Sequence, residues 1–335
     1  MSRMAVVGAG SWGTVLAGLL ADNGHDVVLW SFETDVVDQV MGERENRKYL
    51  PDVRLPDSLR ATTDIGEAVR SAEMVLSVSP SQFVASVMGE AAAHIREDAT
   101  VVSASKGIEA TTLRRMDEVL LDTLGPARME RFCVLSGPSF AREVARKSPT
   151  AVVVASTREE AASRVQGFFQ NANFRVYTNA DVLGVELGGA LKNVIALGAG
   201  VAAGLGFGHN TMAALLTRGL AEITRLGLAM GAQRATFMGL AGMGDLVLTC
   251  TGELSRNRTV GYRLGQGEAL SDILDGMDAV AEGIRTAQAV RDLAERHGVE
   301  MPICREVVAM LVEERSPRVA LENLMKREPK PEDWS

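Results

Sequence analysis

The first half of the chain alternates short apolar runs, rich in β-branched residues, with segments of helical spacing. The runs that predict strands are Met4–Val7, Asp26–Trp30, Met74–Val78, Thr100–Ala104, Phe132–Leu135, Ala151–Ala155 and Phe174–Tyr177. Helical spacing separates the early runs, as in Trp12–Asn23 and Asp64–Ser71. Because strands that alternate with helices form βαβ units, the pattern predicts a parallel sheet covered by helices on both faces.

After Tyr177 the strand pattern gives way to helical periods. Residues 182–206 are apolar almost throughout, with Lys192 among the few polar exceptions, and such a helix is expected to be buried on every side. Further helices are predicted over Met212–Leu228, Leu264–Leu274 and Gly283–His297. We therefore expect an α/β domain with a doubly wound sheet over residues 1–180, followed by an all-α domain over residues 181–335.

Composition and charge narrow the class of protein. A length of 335 residues fits two domains, and 46% hydrophobic with 23% charged residues excludes a disordered or collagen-like chain. The net charge of −8 argues against a nucleic-acid partner. Three separated cysteines without a CxxC pair indicate a reduced, cytoplasmic protein, and the histidine spacing indicates no metal site. The longest apolar stretch, Val194–Gly208, is too short and glycine-rich to span a membrane.

Residues Gly8–Gly13 match GxGxxG, directly after a predicted strand and directly before a predicted helix. In such a turn Gly8 makes the bend, Gly10 lets the backbone approach a pyrophosphate, and Gly13 lets the helix pack against the strand. The free N–H groups at the start of the helix then face the phosphates. The motif in this context predicts a Rossmann-like sheet that binds NAD or NADP.

Glu33 follows the second predicted strand, 20 residues after Gly13, where an acid is expected to hydrogen-bond the ribose of the dinucleotide. A carboxylate at this position favours NAD, because it repels the additional phosphate of NADP. Three nearby cations would accommodate NADP if they fold back toward this position: Arg44, Arg47 and Lys48. Phe32 either lies against the adenine or packs on the protein.

Lys192 is a cation within the apolar helix predicted over residues 182–206. Burial of an unpaired ammonium is costly, so Lys192 is either a general acid/base or anion contact, or its head reaches solvent at the edge of the helix. Gly188, one turn earlier, clears space beside it. Asp245, in a segment lined by glycines, is a partner for Lys192 or for a substrate hydroxyl, or else caps a helix.

Two further segments suggest anion binding. In Ser255-Arg256-Asn257 the guanidinium offers a fork of donors that suits phosphate, and Ser255 is a candidate helix N-cap. Lys106 follows a predicted strand, and the carboxyl ends of the strands share one cleft in a doubly wound sheet. The alternative for each segment is a solvated cation on a loop.

The chain resembles the bacterial-type NAD(P)-dependent glycerol-3-phosphate dehydrogenases over almost its whole length. The motifs that carry the resemblance are GAGSWGT from Gly8, SKGIE from Ser105, SGPSFA from Ser136, LGGALKNVIALGAG from Leu187, GLAGMGDLVLTCTG from Gly239 and SRNR from Ser255. The resemblance implies reversible hydride transfer between NAD(P)H and dihydroxyacetone phosphate, giving sn-glycerol 3-phosphate for phospholipid synthesis. The implied partner is a small phosphorylated molecule, bound by local cations despite the negative net charge, and a homodimer remains open.

Carried over residue by residue, the resemblance implies roles in the site. Lys192 matches the family's proton acceptor and contacts substrate, and Lys106 matches a residue near both nicotinamide and substrate. The other implied substrate contacts are Gly137, Ser139, Asp245, Ser255, Arg256 and Asn257. The implied cofactor contacts are Ser11, Trp12, Tyr49, Ala141, Arg256, Val280 and Glu282. Ser31-Phe32-Glu33 departs from the family, in which many members carry basic residues here, so the preference between NAD and NADP stays open.

Two other functions are compatible with parts of the sequence. A hydroxyacid dehydrogenase of the same architecture would share the glycine turn and a helical lysine but would act on a carboxylate. A non-enzymatic dinucleotide sensor would need only the first domain. Under the family interpretation, protonated Lys192 donates a proton during ketone reduction, and neutral Lys192 accepts one during alcohol oxidation.

Overall fold

The computed structural model describes residues 1–277 and 281–332. Contacts divide the chain into two units. The first comprises Met1–Lys106 with Arg114–Val182, and the second comprises Gly107–Leu113 with Leu183–Ser335. Each unit has its own buried apolar core.

Eight strands form one sheet in the described part of the first unit. They are β1 (Arg3–Val7), β2 (Asp26–Trp30), β3 (Arg60–Thr62), β4 (Met74–Ser77), β5 (Thr100–Ser103), β6 (Cys133–Ser136), β7 (Thr150–Ala155) and β8 (Phe174–Asn179). Their order across the sheet is β3-β2-β1-β4-β5-β6-β7-β8. The strand order reverses between β1 and β4, and in doubly wound sheets a ligand binds beyond the carboxyl ends of the strands at such a point.

The sequence pattern predicts a parallel sheet, and the structure corrects this prediction at one pair of neighbouring strands. All neighbouring pairs are parallel except β6 and β7, in which Leu135 lies opposite Val154 in an antiparallel register. A buried apolar run identifies a strand but carries no information about its direction. The edge strand β3 was not predicted, because three half-buried residues are too few to show a period.

Helices of the first unit fill the connections between strands. They are α1 (Ser11–Asp22), α2 (Thr34–Glu43), α3 (Ile65–Val69), α4 (Val84–Ala92), α5 (Met116–Leu124), α6 (Pro126–Met129), α7 (Ala141–Ala145) and α8 (Glu159–Phe169), with a 3₁₀ turn at Ser81–Phe83. Helix α1 agrees with the predicted Trp12–Asn23. Helix α3 is shorter than the predicted Asp64–Ser71, because Asp64 lies outside it and its side chain accepts the N–H of Glu67 as an N-cap.

The second unit contains helices and no strand over residues 183–277 and 281–332. The helices are α9 (Val182–Gly204), α10 (His209–Ala229), α11 (Arg234–Phe237), α12 (Asp245–Thr251), α13 (Arg256–Gly265), α14 (Leu270–Asp275), α15 (Glu282–Arg296), α16 (Pro302–Val312) and α17 (Pro317–Met325), with a π-helical turn at Leu240–Gly244. The single helix predicted over Leu264–Leu274 is wrong. Helix α13 ends there, and Gly267 with a φ of +95° turns the chain into α14.

Helix α9 forms the centre of the second core. By length and composition it could cross a membrane, and it is longer than the Val194–Gly208 stretch considered above. However, 83% of its most apolar 18-residue window is buried within the protein. The expectation of a helix buried on every side holds for most of its residues, and the helix brings Lys192 into this core.

Candidate active site

The glycine turn connects β1 to α1 in the geometry that the GxGxxG pattern predicts. Gly8 has a φ of +123°, which only glycine adopts readily, and it makes the bend. A Cβ on Gly13 would lie 1.8 Å from the carbonyl oxygen of Gly8, so the first turn of α1 approaches the glycine turn too closely for any side chain. A Cβ on Gly10 would meet no described atom within 4 Å. The backbone at Gly10 therefore faces open space of the kind a pyrophosphate needs.

The first turn of α1 is arranged to receive an anion. Thr14 donates the first hydrogen bond of the helix, to the carbonyl oxygen of Gly10 at 2.9 Å, so the N–H groups of Ser11, Trp12 and Gly13 precede the intrahelical bonds. The first turn contains no acidic residue and Gly10 offers no capping side chain. The helix N-terminus thus fits a phosphate group, and these residues fit a dinucleotide.

Glu33 lies just beyond β2 and has two side-chain partners. The ammonium of Lys48 donates to its Oε1 at 2.8 Å, and the hydroxyl of Tyr49 donates to the same oxygen at 2.6 Å. Partial burial alone would raise the pKa of Glu33, but the two donors outweigh it and the pKa lies below its ordinary value. The neighbouring Phe32 is 85% exposed, so the alternative in which it packs on the protein is wrong.

Lys106, Gly137 and Ser139 come together at the ends of β5 and β6. The Lys106 ammonium donates to the carbonyl oxygen of Gly137 at 3.3 Å, and the Ser139 hydroxyl donates to the same oxygen at 3.0 Å. Gly137 has a φ of +131°, and Ala141 begins the short helix α7 four residues later. At the ends of these two strands, the first unit therefore places the Lys106 ammonium beside a turn of small residues.

Lys192 forms the centre of a buried polar group in the second unit. Its ammonium donates to Oδ1 of Asp245 at 2.5 Å and to the hydroxyl of Thr249 at 2.8 Å. The Thr249 hydroxyl in turn donates to the backbone carbonyl of Asp245 at 2.6 Å. Exposure is 6% for Lys192 and 1% for Asp245, so the alternative of a lysine that reaches solvent at the helix edge is wrong.

Gly188 explains how α9 approaches Asp245 so closely. A Cβ on Gly188 would lie 2.5 Å from the carbonyl oxygen of Ala241, in the π-helical turn that leads into α12. The missing side chain of Gly188 does leave room beside α9, as expected. Backbone of the π-helical turn fills that room, and this brings the start of α12, and with it Asp245, next to α9.

The start of α13 places the predicted phosphate contacts. Ser255 is its N-cap, as predicted, and its hydroxyl accepts the N–H of Arg258 at 3.3 Å. Arg256 is exposed and forms no hydrogen bond or ion pair with any residue of the ranges 1–277 and 281–332. Asn257 is buried and bridges helices: its amide nitrogen donates to Oδ1 of Asn193 at 3.0 Å, and its oxygen accepts the N–H of Gly283 at 3.0 Å.

Some of the predicted site residues lie in the first unit and the others lie in the second. Glu282 begins α15 beside the Gly283 N–H that binds Asn257, and Val280 lies outside the described residues. Among the described residues, no group of three or more His, Cys, Asp or Glu side chains is arranged to hold a metal ion.

Sequence reasoning missed several of the residues described above. Thr249 and Asn193 were not singled out as partners, although Asn193 follows Lys192 directly and Thr249 lies one helical turn after Asp245. Asn46, fully buried between the glycine turn and Tyr49, was missed as well. The signal for Thr249 was available, because residues four apart share a helix face.

Comparison with known proteins identifies the family. Models of the NAD-dependent glycerol-3-phosphate dehydrogenase N-terminus and C-terminus match residues 3–162 and 181–322. Glycerol-3-phosphate dehydrogenase (NAD(P)+) from Geobacter metallireducens is 56% identical over 330 residues, which cover 98% of each chain. The enzyme of that name from Geobacter sulfurreducens is 54% identical over 332 residues, covering 99% of each.

A solved structure gives the same result. Glycerol-3-phosphate dehydrogenase from Coxiella burnetii superposes with a TM-score of 0.92 at 38% identity, covering 97% of this chain and 99% of that one. The matches span both units and include the glycine turn, the Lys192 group and the start of α13. The chain therefore belongs to the NAD-dependent glycerol-3-phosphate dehydrogenase family.

Proposed function

We propose that this chain catalyses the reversible, NAD(P)-dependent reduction of dihydroxyacetone phosphate to sn-glycerol 3-phosphate. In this proposal the first unit is the dinucleotide-binding domain and the second is the substrate domain. The observation that carries it is the buried Lys192–Asp245–Thr249 group in a chain of this family. A lysine held this way in an apolar core is positioned for proton transfer, and its burial would otherwise be a large cost.

Lys192 is the proposed general acid and base. In ketone reduction its ammonium polarises the carbonyl and donates a proton to the oxygen, and in alcohol oxidation neutral Lys192 accepts the hydroxyl proton. Asp245 and Thr249 orient Lys192 Nζ through the bonds at 2.5 and 2.8 Å. Asp245 also balances the charge of the ammonium before the proton leaves.

The start of α13 is the proposed phosphate subsite. The exposed Arg256 guanidinium supplies two parallel N–H donors, and the N-terminus of the helix supplies backbone N–H groups. Ser255 and Asn257 shape this subsite, with Ser255 as N-cap and Asn257 as the bridge to α9 and α15. Binding energy from the remote phosphate then orients the carbonyl carbon that reacts.

The first unit is the proposed dinucleotide site. Gly8, Gly10 and Gly13 shape the phosphate turn, and Ser11 and Trp12 contribute backbone donors. The further proposed cofactor contacts are Phe32, Glu33, Tyr49, Lys106, Ala141, Arg256 and Glu282, and Val280 lies outside the described residues. When bound, NAD(P)H supplies the hydride. Lys106, Gly137 and Ser139 contact the substrate as well in this proposal.

A spectrophotometric assay tests the function directly. The purified protein is mixed with NADH or NADPH and dihydroxyacetone phosphate, and nicotinamide oxidation is followed. A parallel assay offers small 2-oxo acids, the carboxylated substrates of a hydroxyacid dehydrogenase. Turnover with the phosphorylated ketone supports the proposal. Cofactor binding without turnover would indicate a dinucleotide sensor, and turnover with the acids alone would indicate the other dehydrogenase.

We further propose a cytoplasmic protein with no nucleic-acid partner. The support is a negative net charge and three buried cysteines that form no disulfide: Cys133, Cys250 and Cys304. A homodimer is part of the same proposal. Light scattering on the purified protein tests the assembly.

A further inference from the structure

We infer that this chain selects NAD over NADP, and that Glu33, held in place by Tyr49 and Lys48, is the selecting group. The inference rests on the dinucleotide site proposed above and goes beyond it by assigning a preference between the two cofactors. It rests on two observations: which carboxylate oxygen of Glu33 already accepts hydrogen bonds, and which groups the neighbouring cations bind.

Both donors reach the same oxygen of the carboxylate. Lys48 Nζ and Tyr49 OH lie 2.8 and 2.6 Å from Oε1, whereas Oε2 has no hydrogen-bond partner among the described residues. The side chain of Glu33 is 27% exposed, and Oε2 is not among the buried polar atoms that lack a partner. An ionised carboxylate accepts hydrogen bonds only, and a ribose with two free hydroxyls offers donors to it. Oε2 is therefore the acceptor for the adenosine ribose of NAD.

The charge of Glu33 excludes the 2′-phosphate of NADP. The bonds from Lys48 and Tyr49 favour the ionised form and keep the pKa of Glu33 below its ordinary value, against the opposing effect of burial. A phosphate at the ribose 2′ position would meet this carboxylate with like charge. Lys48 does not offset the repulsion, because its ammonium is already paired with Glu33.

The other cations near this position are directed elsewhere. The Arg44 guanidinium donates to the carbonyl oxygen of Leu59 at 2.8 Å. Arg47 pairs with Glu43 and Glu45. Of the three cations that could accommodate NADP, only Lys48 lies at Glu33 among the described residues. Its ammonium is paired with the carboxylate and is therefore not directed toward a 2′-phosphate. The arrangement favours the cofactor without the additional phosphate.

The segment that carries Lys48 and Tyr49 is fixed to the glycine turn. The Asn46 amide nitrogen donates to the carbonyl oxygen of Ala9 and to the hydroxyl of Thr14, each at 2.8 Å, and the Asn46 side-chain oxygen accepts the N–H of Tyr49 at 3.1 Å. The Ser11 hydroxyl donates to the carbonyl oxygen of Tyr49 at 2.5 Å. The pyrophosphate turn and the ribose acceptor therefore belong to one hydrogen-bonded network. Tyr49 is a positioning residue that acts through Glu33.

The experiment measures dissociation constants for NADH and NADPH by nicotinamide fluorescence, with no substrate present. We expect wild-type protein to bind NADH about tenfold more tightly than NADPH, or better. The Glu33→Ala variant should weaken NADH binding and strengthen NADPH binding, because Lys48 becomes available to the 2′-phosphate. The Glu33→Ala/Lys48→Ala double variant should lose the gain for NADPH. Asp38→Ala, an exposed acid on α2, removes the same charge as a control and should leave the ratio unchanged.

Tyr49→Phe tests the positioning role. This variant removes the donor to Oε1 but keeps the ring and the backbone carbonyl that Ser11 binds. It should weaken NADH binding several-fold and leave NADPH binding unchanged, whereas a purely structural role would weaken both. Equal or tighter binding of NADPH by the wild type, or an unchanged ratio in Glu33→Ala, would overturn the inference. A protein with the expected ratio but no turnover of dihydroxyacetone phosphate supports it and contradicts the proposed function.

Discussion

Lys192 Nζ on α9 and Asp245 Oδ1 on α12 lie 2.5 Å apart, with both side chains almost inaccessible to solvent. A buried ion pair contributes little net stability, since desolvation of two charges offsets most of their attraction. Removing one partner is costly, because the other charge then remains buried and unpaired. The pair therefore makes the core dependent on both residues while placing an ammonium group within it.

The first prediction separates the catalytic from the structural contribution of this pair. Lys192→Ala should lower kcat about 10²- to 10⁴-fold, the range of general acid–base catalysis, and lower the free energy of unfolding by about 3–5 kcal/mol. The double variant Lys192→Met/Asp245→Leu should regain stability, because apolar residues replace both charges, but not turnover. Denaturant unfolding and steady-state assays measure the two effects. Near-normal turnover in Lys192→Ala with intact cofactor binding would show that Lys192 is not the proton donor.

The second prediction concerns the Thr249 hydroxyl, which accepts a hydrogen bond from the Lys192 ammonium in addition to the bond to Asp245. Thr249→Val should lower turnover about tenfold and stability by about 1–2 kcal/mol, because the ammonium loses an acceptor in a buried site. Thr251→Val is the matched control on the same helix, since that exposed hydroxyl donates to the carbonyl of Val247 and should change neither quantity. Thr249→Ser should retain most of the activity. Equal effects of the two valine variants would contradict a specific role for Thr249.

The third prediction tests the close approach of backbone to α9. Gly188→Ala places a Cβ 2.5 Å from the Ala241 carbonyl oxygen, so the turn before Asp245 must move. We expect lower stability and lower turnover, because Asp245 shifts relative to Lys192. Gly198→Ala on the same helix is the control: its Cβ would make ordinary contact with Val307 at 3.4 Å, and alanine favours a helix by about 1 kcal/mol over glycine. The prediction fails if both variants behave alike.

The sequence predicted those parts of the site that stand out locally. A lysine in an apolar helix and a glycine turn after a strand are unusual within a few residues of chain, so Lys192 and the Gly8–Gly13 turn were found without any structure. Thr249 shares a helix face with the predicted Asp245, but neither local pattern shows that this face meets Lys192, which lies 57 residues away from Thr249 along the chain. The direction of β7 is non-local in the same way, because an antiparallel and a parallel neighbour bury the same apolar run.

Arg256 provides the fourth prediction, on substrate binding. Arg256→Ala should raise the KM for dihydroxyacetone phosphate about 10- to 100-fold, corresponding to a charge-assisted hydrogen bond of about 1.5–3 kcal/mol. Arg263→Ala is the control on the same helix, because Arg263 forms an ion pair with Glu268 at 2.6 Å and should leave the KM unchanged. Arg256→Lys should recover part of the affinity but lack the parallel pair of donors. An unchanged KM in Arg256→Ala would move the phosphate subsite away from α13.

The last prediction concerns a carboxylate far along the chain from Lys192, within the helical core. Glu222 on α10 accepts the backbone N–H groups of Ile303 and Cys304 at 2.8 and 3.2 Å, and thereby caps the start of α16. Burial raises the pKa of Glu222 from its ordinary 4.5 to about 7, although these two N–H groups oppose the shift. The folded protein therefore holds a proton that the unfolded chain releases between these pH values.

The sign of the pH dependence follows from that proton. The contribution of Glu222 to stability is fully present below pH 4.5 and is lost as the pH rises through about 7, by on the order of 3 kcal/mol at most. Glu222→Gln keeps the shape of the side chain but removes the carboxyl group that titrates. The free energy of unfolding of the wild type should therefore decline relative to that of the variant between pH 5 and 8. Urea unfolding at a series of pH values measures this difference, in which the other titrating groups cancel. A difference that stays constant over this range would show that Glu222 remains ionised in the folded protein, held by the N–H groups at the start of α16.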